Sequence, residues 1–243
     1  LKGLSPVVAP IVDVIHPRER GRELACAAFD CTPEDLPDGE GWAAERLHDM
    51  SSHCGTHVDA PLHSGLTIEG KPARTITDIA LDELYRPGVV LDVRPWAKLG
   101  QAITVEMLDR ALEATGGGIE KGMAVLIRTG QERYDYIDPE FTNYPGMTYE
   151  STCHLTEQGA TILGTDAFAW DRPFHELKRL FKETGDRSYI WDGHFAIRKR
   201  EAFIVQKLEN LGALPLRGFM VGFFPIKLKD MSAAPARVVA FVD

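Results

Sequence analysis

Apolar residues in this chain gather into five short runs, at 89–93, 124–128, 162–168, 219–224 and 238–242. Each is rich in β-branched or aromatic residues and flanked by Gly or Pro, which predicts buried strands. Between them the spacing turns helical. Thr104 is placed to cap a helix whose inner face is Val105, Leu108, Ala111 and Leu112, and the glycines at 116–118 would end it. A second helix is predicted near 156–161 and a third near 173–184, with Leu177, Leu180 and Phe181 inward. Residues 30–42, rich in Pro, Gly and acid, read as a loop. So does a long irregular stretch at 134–149, of the kind that often carries substrate contacts. Strands alternating with helices predict an α/β or mixed α+β layer architecture.

Length keeps this to one large domain over residues 1–243, since domains average roughly 150 residues. An N-terminal arm of about 40 residues is expected before the main body. The hydrophobic share of 44% and charged share of 26% are ordinary for a globular chain and exclude collagen-like or disordered classes. Lys and Arg total 27 against 36 Asp and Glu, a net charge of −9, which argues against nucleic-acid or anionic-membrane partners. No apolar run nears the roughly 18 residues of a membrane span. No basic stretch leading into an apolar one suggests a leader, although the chain starts at Leu1 and not Met, leaving open whether residues precede it. Cys26, Cys31, Cys54 and Cys153 form no C-x-x-C pair and are too sparse for a disulfide scaffold. Free thiols, and a cytoplasmic location, are expected.

The chemistry concentrates in His53-Cys54-Gly55-Thr56-His57-Val58-Asp59-Ala60-Pro61-Leu62-His63. His53, His57, Asp59 and His63 share parity, so an extended chain would turn all four to one face. A helix would not, because Asp59 would leave the face shared by His53 and His57. Gly55 has the backbone freedom to fold His53 back toward His57, and Pro61 fixes the approach to His63. Imidazole and carboxylate suit Zn²⁺, Mn²⁺ or Fe²⁺. Three such ligands with one open position would acidify water, and a histidine left off the metal is a natural general base. A lone buried His is usually a satisfied core residue; four groups in one parity class around Gly and Pro are a different matter. Cys54, of opposite parity, should face away. Phe29, Trp42, Trp191 and Phe224 could line an aromatic pocket, with core as the default. His16, His48, His154 and His175 read as surface or structural. The glycine run lacks a phosphate-loop ending, and no G-x-S-x-G elbow supports a serine hydrolase.

The stretch 53–63 resembles the H-x-G-T-H-x-D-x-P-x-H signature of the metal-dependent cyclase-type hydrolases, a family that includes kynurenine formamidases and isatin hydrolases. The likeness extends more loosely from about Trp42 to the C-terminus, through Gly164-Thr165-Asp166, His194, the 206–211 segment and Ala234-Pro235-Ala236-Arg237. It implies a mixed, barrel-like β-sheet core flanked by helices, and a homodimer or higher homo-oligomer. It implies His53, His57 and Asp59 as metal ligands, His63 as general base and His194 as a second catalytic residue. A further ligand position, Glu in formamidase-like members, is Gln206 here, unless Glu209 three residues later is the true match. A neutral amide brings no charge, so with Asp59 as the one carboxylate a single ion is expected, Mn²⁺ before Zn²⁺. The expected reaction is hydrolysis of a small aromatic cyclic amide, isatin or a close relative. The rivals are cleavage of N-formylkynurenine, a lyase or cyclase acting on another small acid, and metal binding without catalysis.

Overall fold

Residues 9–242 are described by a computed structural model; the first eight residues of the expected N-terminal arm lie outside them. Two compact units divide the chain, Leu1–Cys54 and Gly55–Asp243. In the first, β1 (Ile11–Ile15) pairs antiparallel with β2 (Ala44–His48), setting Ile11 opposite His48 and Ile15 opposite Ala44. Helix α1 (Arg20–Phe29) lies between them in sequence. A Cβ at Gly21 would meet the Trp42 carbonyl oxygen at 2.1 Å, so only glycine lets α1 begin against that backbone. The 30–42 stretch is not a plain loop. Pro33 and Pro37 each open a single 3₁₀ turn, Pro33–Asp35 and Pro37–Gly39, because their fixed φ presets the first helical position.

Each of the five apolar runs contributes to a strand of one closed barrel in the second unit. Its members are β3 (His57–Asp59), β6 (Tyr85–Asp92), β8 (Ala124–Arg128), β10 (Ile162–Thr165), β11 (Phe203–Gln206), β12 (Arg217–Pro225) and β13 (Ala233–Phe241). Around the barrel the order is β10-β11-β3-β13-β12-β6-β8. The pairs from β6 through β8 and β10 to β11 are parallel. Each such connection crosses over through helix: α2 (Val105–Glu113), α3 (Tyr149–Gln158), then α4 (Phe174–Thr184) and α5 (Asp192–Ala196). The remaining pairs, which seat β3 between β11 and β13, are antiparallel. Two small ribbons complete the unit, β4 (Thr67–Ile68) with β5 (Lys71–Pro72) and β7 (Ala102–Ile103) with β9 (Gly146–Met147).

Alternation along the strands sorts the apolar residues into two cores. Val58, Val90, Ala124, Leu126, Ile162, Val205, Val221, Phe223 and Ala234, drawn from every barrel strand, fill the interior. Val89, Leu91, Val125, Ile127, Leu163 and Ile204 leave the other face and pack with Leu108, Ala111, Leu155 and Trp170 of the covering layer. Burial on both faces explains the unbroken apolar runs of β6, β8 and β10; the 238–242 run departs from the expected buried strand, since Val239 and Phe241 of β13 are exposed.

Details depart from expectation for local reasons. Thr104 does cap α2, accepting from the Met107 amide at 3.3 Å. The second helix runs Tyr149–Gln158, seven residues ahead of the predicted start, because Thr148 accepts from the Ser151 amide and Gly159, at φ 117°, ends it. The 162–168 run stops being strand at Thr165, where Asp166 turns to accept from the Thr129 and Gly130 amides at 2.8 and 2.7 Å.

Two outcomes test this packing. Leu126→Ala, in the barrel interior, should cost about 2–5 kcal/mol of unfolding free energy in urea melts, whereas exposed Leu66→Ala should shift it by less than about 0.5 kcal/mol. Arg74 grips Glu83 with two hydrogen bonds, at 2.8 and 2.9 Å, and Glu201 with a third. The guanidinium's hydrogen bonds hold the Glu83 carboxyl below its ordinary value. That contribution is present above the ordinary glutamate range and is lost as pH falls through the depressed value. Wild type should therefore exceed Glu83→Gln in stability near neutrality and converge with it in acid, as followed by thermal melts across pH.

Candidate metal centre

In β3, Val58 points into the barrel, so His57 and Asp59 leave on its outer face. In β11, Val205 points in and Gln206 out. The register sets Gln206 opposite His57 and Ile204 opposite Asp59, making Gln206 and His57 cross-strand neighbours. On the other side of β3, β13 places Pro235 opposite His57 and Ala233 opposite Asp59, keeping that flank small. The extended conformation expected for the whole motif spans only His57–Asp59. His63 comes by a different route, a 3₁₀ turn, Pro61–Ser64, begun by Pro61. There one ring nitrogen of His63 and one carboxylate oxygen of Asp59 lie within 4.8 Å. Gly55 takes the left-handed conformation its expected role needs, φ 62°. His53 belongs to the first unit, where its Nδ1 lies 3.1 Å from the Ser52 hydroxyl.

His57 Nδ1 lies 2.8 Å from the Gly55 carbonyl oxygen. A carbonyl only accepts, so the proton sits on Nδ1 and Nε2 faces Asp59 Oδ1, 3.3 Å away. Gln206 donates from its amide to Asp59 Oδ2 at 2.7 Å. His194 Nε2 lies 3.5 Å from the same oxygen and 3.3 Å from the Gln206 amide nitrogen. All four of these side chains are buried. His194 is carried by α5, and Asp171 organises that short helix: one oxygen accepts from the Gly193 and His194 amides at 2.6 and 3.2 Å, and the other pairs with His194 Nδ1. Trp191, at φ 56°, lays its ring 4.7 Å from both His63 and His194, whose own centroids are 5.3 Å apart.

The electrostatics follow from burial against pairing. Burial opposes ionisation of Asp59, but the His57 charge and hydrogen bonds from His194 and His57 hold its carboxyl well below the usual range. Burial lowers His57, and Asp59 more than reverses this. His194 is likewise depressed by burial but pushed up to about 9 by the charge and hydrogen bond of Asp171, with Asp59 adding to it. The pocket therefore draws positive charge to itself. That, with imidazole nitrogen, carboxylate oxygen and a carboxamide one half-turn from presenting its oxygen, is the chemistry of a divalent-cation site. A metal cofactor fits these residues.

Asp171 escaped the sequence reading, since nothing in Trp170-Asp171-Arg172 announces that it caps a helix 22 residues on. Asp192 and His194 both sit on α5. Gly193 packs close to Asp171, whose Oδ1 lies 3.1 Å from where a Cβ on Gly193 would sit. Trp191 belongs to the site. Phe29, Trp42 and Phe224 are exposed, contrary to the core default; the first two stack edge to face at 6.4 Å in the first unit. Glu209 is exposed on the surface while Gln206 is buried in the cluster.

A closed barrel with a buried His, Asp and Gln cluster on its outer face, able to hold a metal, is the arrangement the 53–63 motif suggested. Residues 9–172 match the cyclase family, and the chain belongs to it. It is 27% identical to the kynurenine formamidase of Paracidovorax citrulli (strain AAC00-1), across 85% of this chain and 88% of that one. It is 25% identical to the isatin hydrolase of Roseibium aggregatum, across 79% and 73%. Isatin hydrolase A from Ralstonia solanacearum has the same fold, with a TM-score of 0.70 at 23% identity over 99% of this chain and 89% of that one. The mixed barrel is thus the family architecture. No helix among the described residues is long and apolar enough to cross a membrane, and Cys26, Cys31 and Cys153 are free thiols.

Asp171→Asn keeps the shape but puts an amide against two backbone donors and His194. It should cost about 1–3 kcal/mol of unfolding free energy in urea melts; an unchanged midpoint would deny Asp171 its role in building α5.

Proposed function

We propose that this protein is a metal-dependent hydrolase that opens a small aromatic cyclic amide, isatin or a close relative, to the ring-opened carboxylate. The observation that carries the reading is Gln206, set across from His57 and bonded to Asp59, where a carboxylate would be needed to balance a second ion. We assign His53, His57, Asp59 and Gln206 as ligands of one divalent ion, Mn²⁺ before Zn²⁺. Such an ion supplies Lewis acidity toward the amide carbonyl and makes water a better nucleophile.

The remaining steps belong to the chain. His63, edge-on to Trp191, takes a proton from the attacking water as its oxygen bonds to the carbonyl carbon. It returns that proton to the nitrogen as the C–N bond breaks, so one water is consumed and an amine and a carboxylic acid are left, the acid releasing the water's second proton to solvent as it ionises to the carboxylate. His194, its Nδ1 held by Asp171, turns Nε2 toward the cluster to stabilise the tetrahedral oxyanion. Trp191, His63 and His194 form a wall of rings against which a planar substrate can rest.

A second reading is cleavage of N-formylkynurenine to kynurenine and formate, favoured by the relative at 27% identity over most of its length. Homo-oligomerisation is part of the proposal. Strands β1 and β2 make a two-stranded ribbon that exposes Ile11, Val12, Val14 and Leu47, and isolated ribbons of this size are marginal.

Turnover of isatin and of N-formylkynurenine by chelated enzyme reloaded with Mn²⁺ or Zn²⁺ separates the readings. Isatin alone, restored best by Mn²⁺, is expected. N-formylkynurenine alone would overturn the cyclic-amide assignment, and His63→Ala should abolish turnover while retaining metal. Gln206→Glu should raise the bound metal from one ion per chain toward two, as counted by elemental analysis; one ion in both would remove the charge argument.

A further inference from the structure

Cys26 and Cys31 stand in a C-x4-C spacing that the metal centre does not use. On an uninterrupted helix, residues five apart lie about 140° around the axis and cannot touch. Here the helix does not continue. α1 ends at Phe29, and Asp30 takes the left-handed conformation, φ 51° and ψ 49°. Asp is one of the few residues besides glycine that visits it. The Asp30 amide bonds to the Cys26 carbonyl oxygen, and the Cys31 amide returns to the same oxygen at 3.1 Å. That six-residue closure is the helix ending in which the side chains of the first and last residues come into contact.

The two thiols meet there. Burial pushes the Cys31 thiol up, and Cys26 adds to this through its charge and a hydrogen bond between the thiols, as do the carboxylates of Asp35 and Asp30. Both cysteines are half-buried, within reach of a small reagent. The acid beside Cys31 favours a cationic one. A disulfide needs α-carbons within roughly 4.4–6.8 Å, a separation compatible with a carbonyl-to-amide bond joining the same two residues. Closing so short a loop removes little chain entropy. The bond would therefore add little stability and open again to excess thiol, which marks a reversible modification and not a structural staple.

We propose that Cys26 and Cys31 form a dithiol that a small-molecule disulfide oxidises reversibly to an intramolecular disulfide across the end of α1. One thiolate attacks the reagent RS–SR, forming a mixed disulfide and releasing RS⁻. The second thiolate attacks the protein sulfur of that mixed disulfide, forming the Cys26–Cys31 bond and releasing another RS⁻. The two protons shed by the protein thiols are taken up by the two thiolates released. The dithiol loses two electrons and the reagent gains them. The step does not depend on the reaction proposed at the metal centre.

Treating the full metal-loaded chain with cystamine, quenching in acid and labelling the remaining thiols with N-ethylmaleimide in denaturant tests it. Residues 23–46 form one tryptic peptide, between Arg22 and Arg46, that holds Cys26 and Cys31 and no other cysteine. Mass spectrometry should find it lighter by two hydrogens, with neither cysteamine nor maleimide attached. After dithiothreitol it should take two maleimides. Buried Cys153 should carry maleimide throughout. In Cys26→Ser the peptide should stop at one cysteamine, the first step with no partner to complete it. Asp30→Gly, free to enter the left-handed region, should close at least as fast as wild type, and Asp30→Val about tenfold more slowly. These two keep the test readable if the Cys26 variant fails to fold. Persistent cysteamine on the wild-type peptide, two maleimides after full cystamine treatment, or equal closure in the Gly and Val variants would overturn the proposal.

Discussion

Everything at the metal centre depends on the register of β3 against β11. Three residues of β3 close the barrel between β11 and β13, and the same three carry two of the site's polar side chains. Their alternation leaves no latitude. Shifting β3 by one position would turn Val58 outward and drive His57 and Asp59 into an interior lined by Val90, Leu126, Val221 and Phe223. An unpaired carboxylate there would be far costlier than any gain from a different pairing. The apolar interior thus enforces the polar geometry outside it: the tighter Val58 and Val205 are held within, the more firmly His57, Asp59 and Gln206 are aligned without.

The second constraint is Asp171. A five-residue helix has almost no stability of its own, and α5 is held by one carboxylate that binds two of its amides and the ring of its own histidine. Fixing Nδ1 leaves Nε2 as the working nitrogen, directed at Asp59 and Gln206. The Gly55 carbonyl does the same for His57. Two imidazoles arriving from elements far apart in sequence therefore present the same nitrogen to the same small volume, each oriented by a group that takes no direct part in the chemistry.

Much of this was legible in the sequence because it is local. Parity placed His57 and Asp59 on one face, since β3 is a strand; Gly55 announced its left-handed turn; the apolar runs of β6, β8 and β10 announced strands buried on both sides. What could not be read is pairing at a distance. Gln206 reached the reading through a motif resemblance, but its bond to Asp59 depends on a strand register formed 147 positions away along the chain. Asp171 is an ordinary carboxylate until α5 folds over it. His63 reaches Asp59 through a 3₁₀ turn that parity does not describe. The default that large aromatics are core failed for Phe29, Trp42 and Phe224, because surface aromatics look identical to buried ones in a string of letters.

The aromatic wall and the donor cluster set complementary limits on a substrate. Trp191, His63 and His194 enclose one side with rings at 4.7 to 5.3 Å, which favours a flat body. Asp59 is the one carboxylate in the proposed ligand set, so the balance of charge there is completed by what else enters. A neutral amide accepts polarisation from one dication without adding to the site's charge, and its negative charge develops only as water attacks, where His194 faces it. Binding that strengthens as charge develops accelerates the chemical step, whereas a substrate already anionic at the reacting group would have that interaction satisfied before reaction began. The position of Gln206, neutral where a carboxylate would fit, therefore supports uncharged amide chemistry on the same physical ground as the proposed single ion.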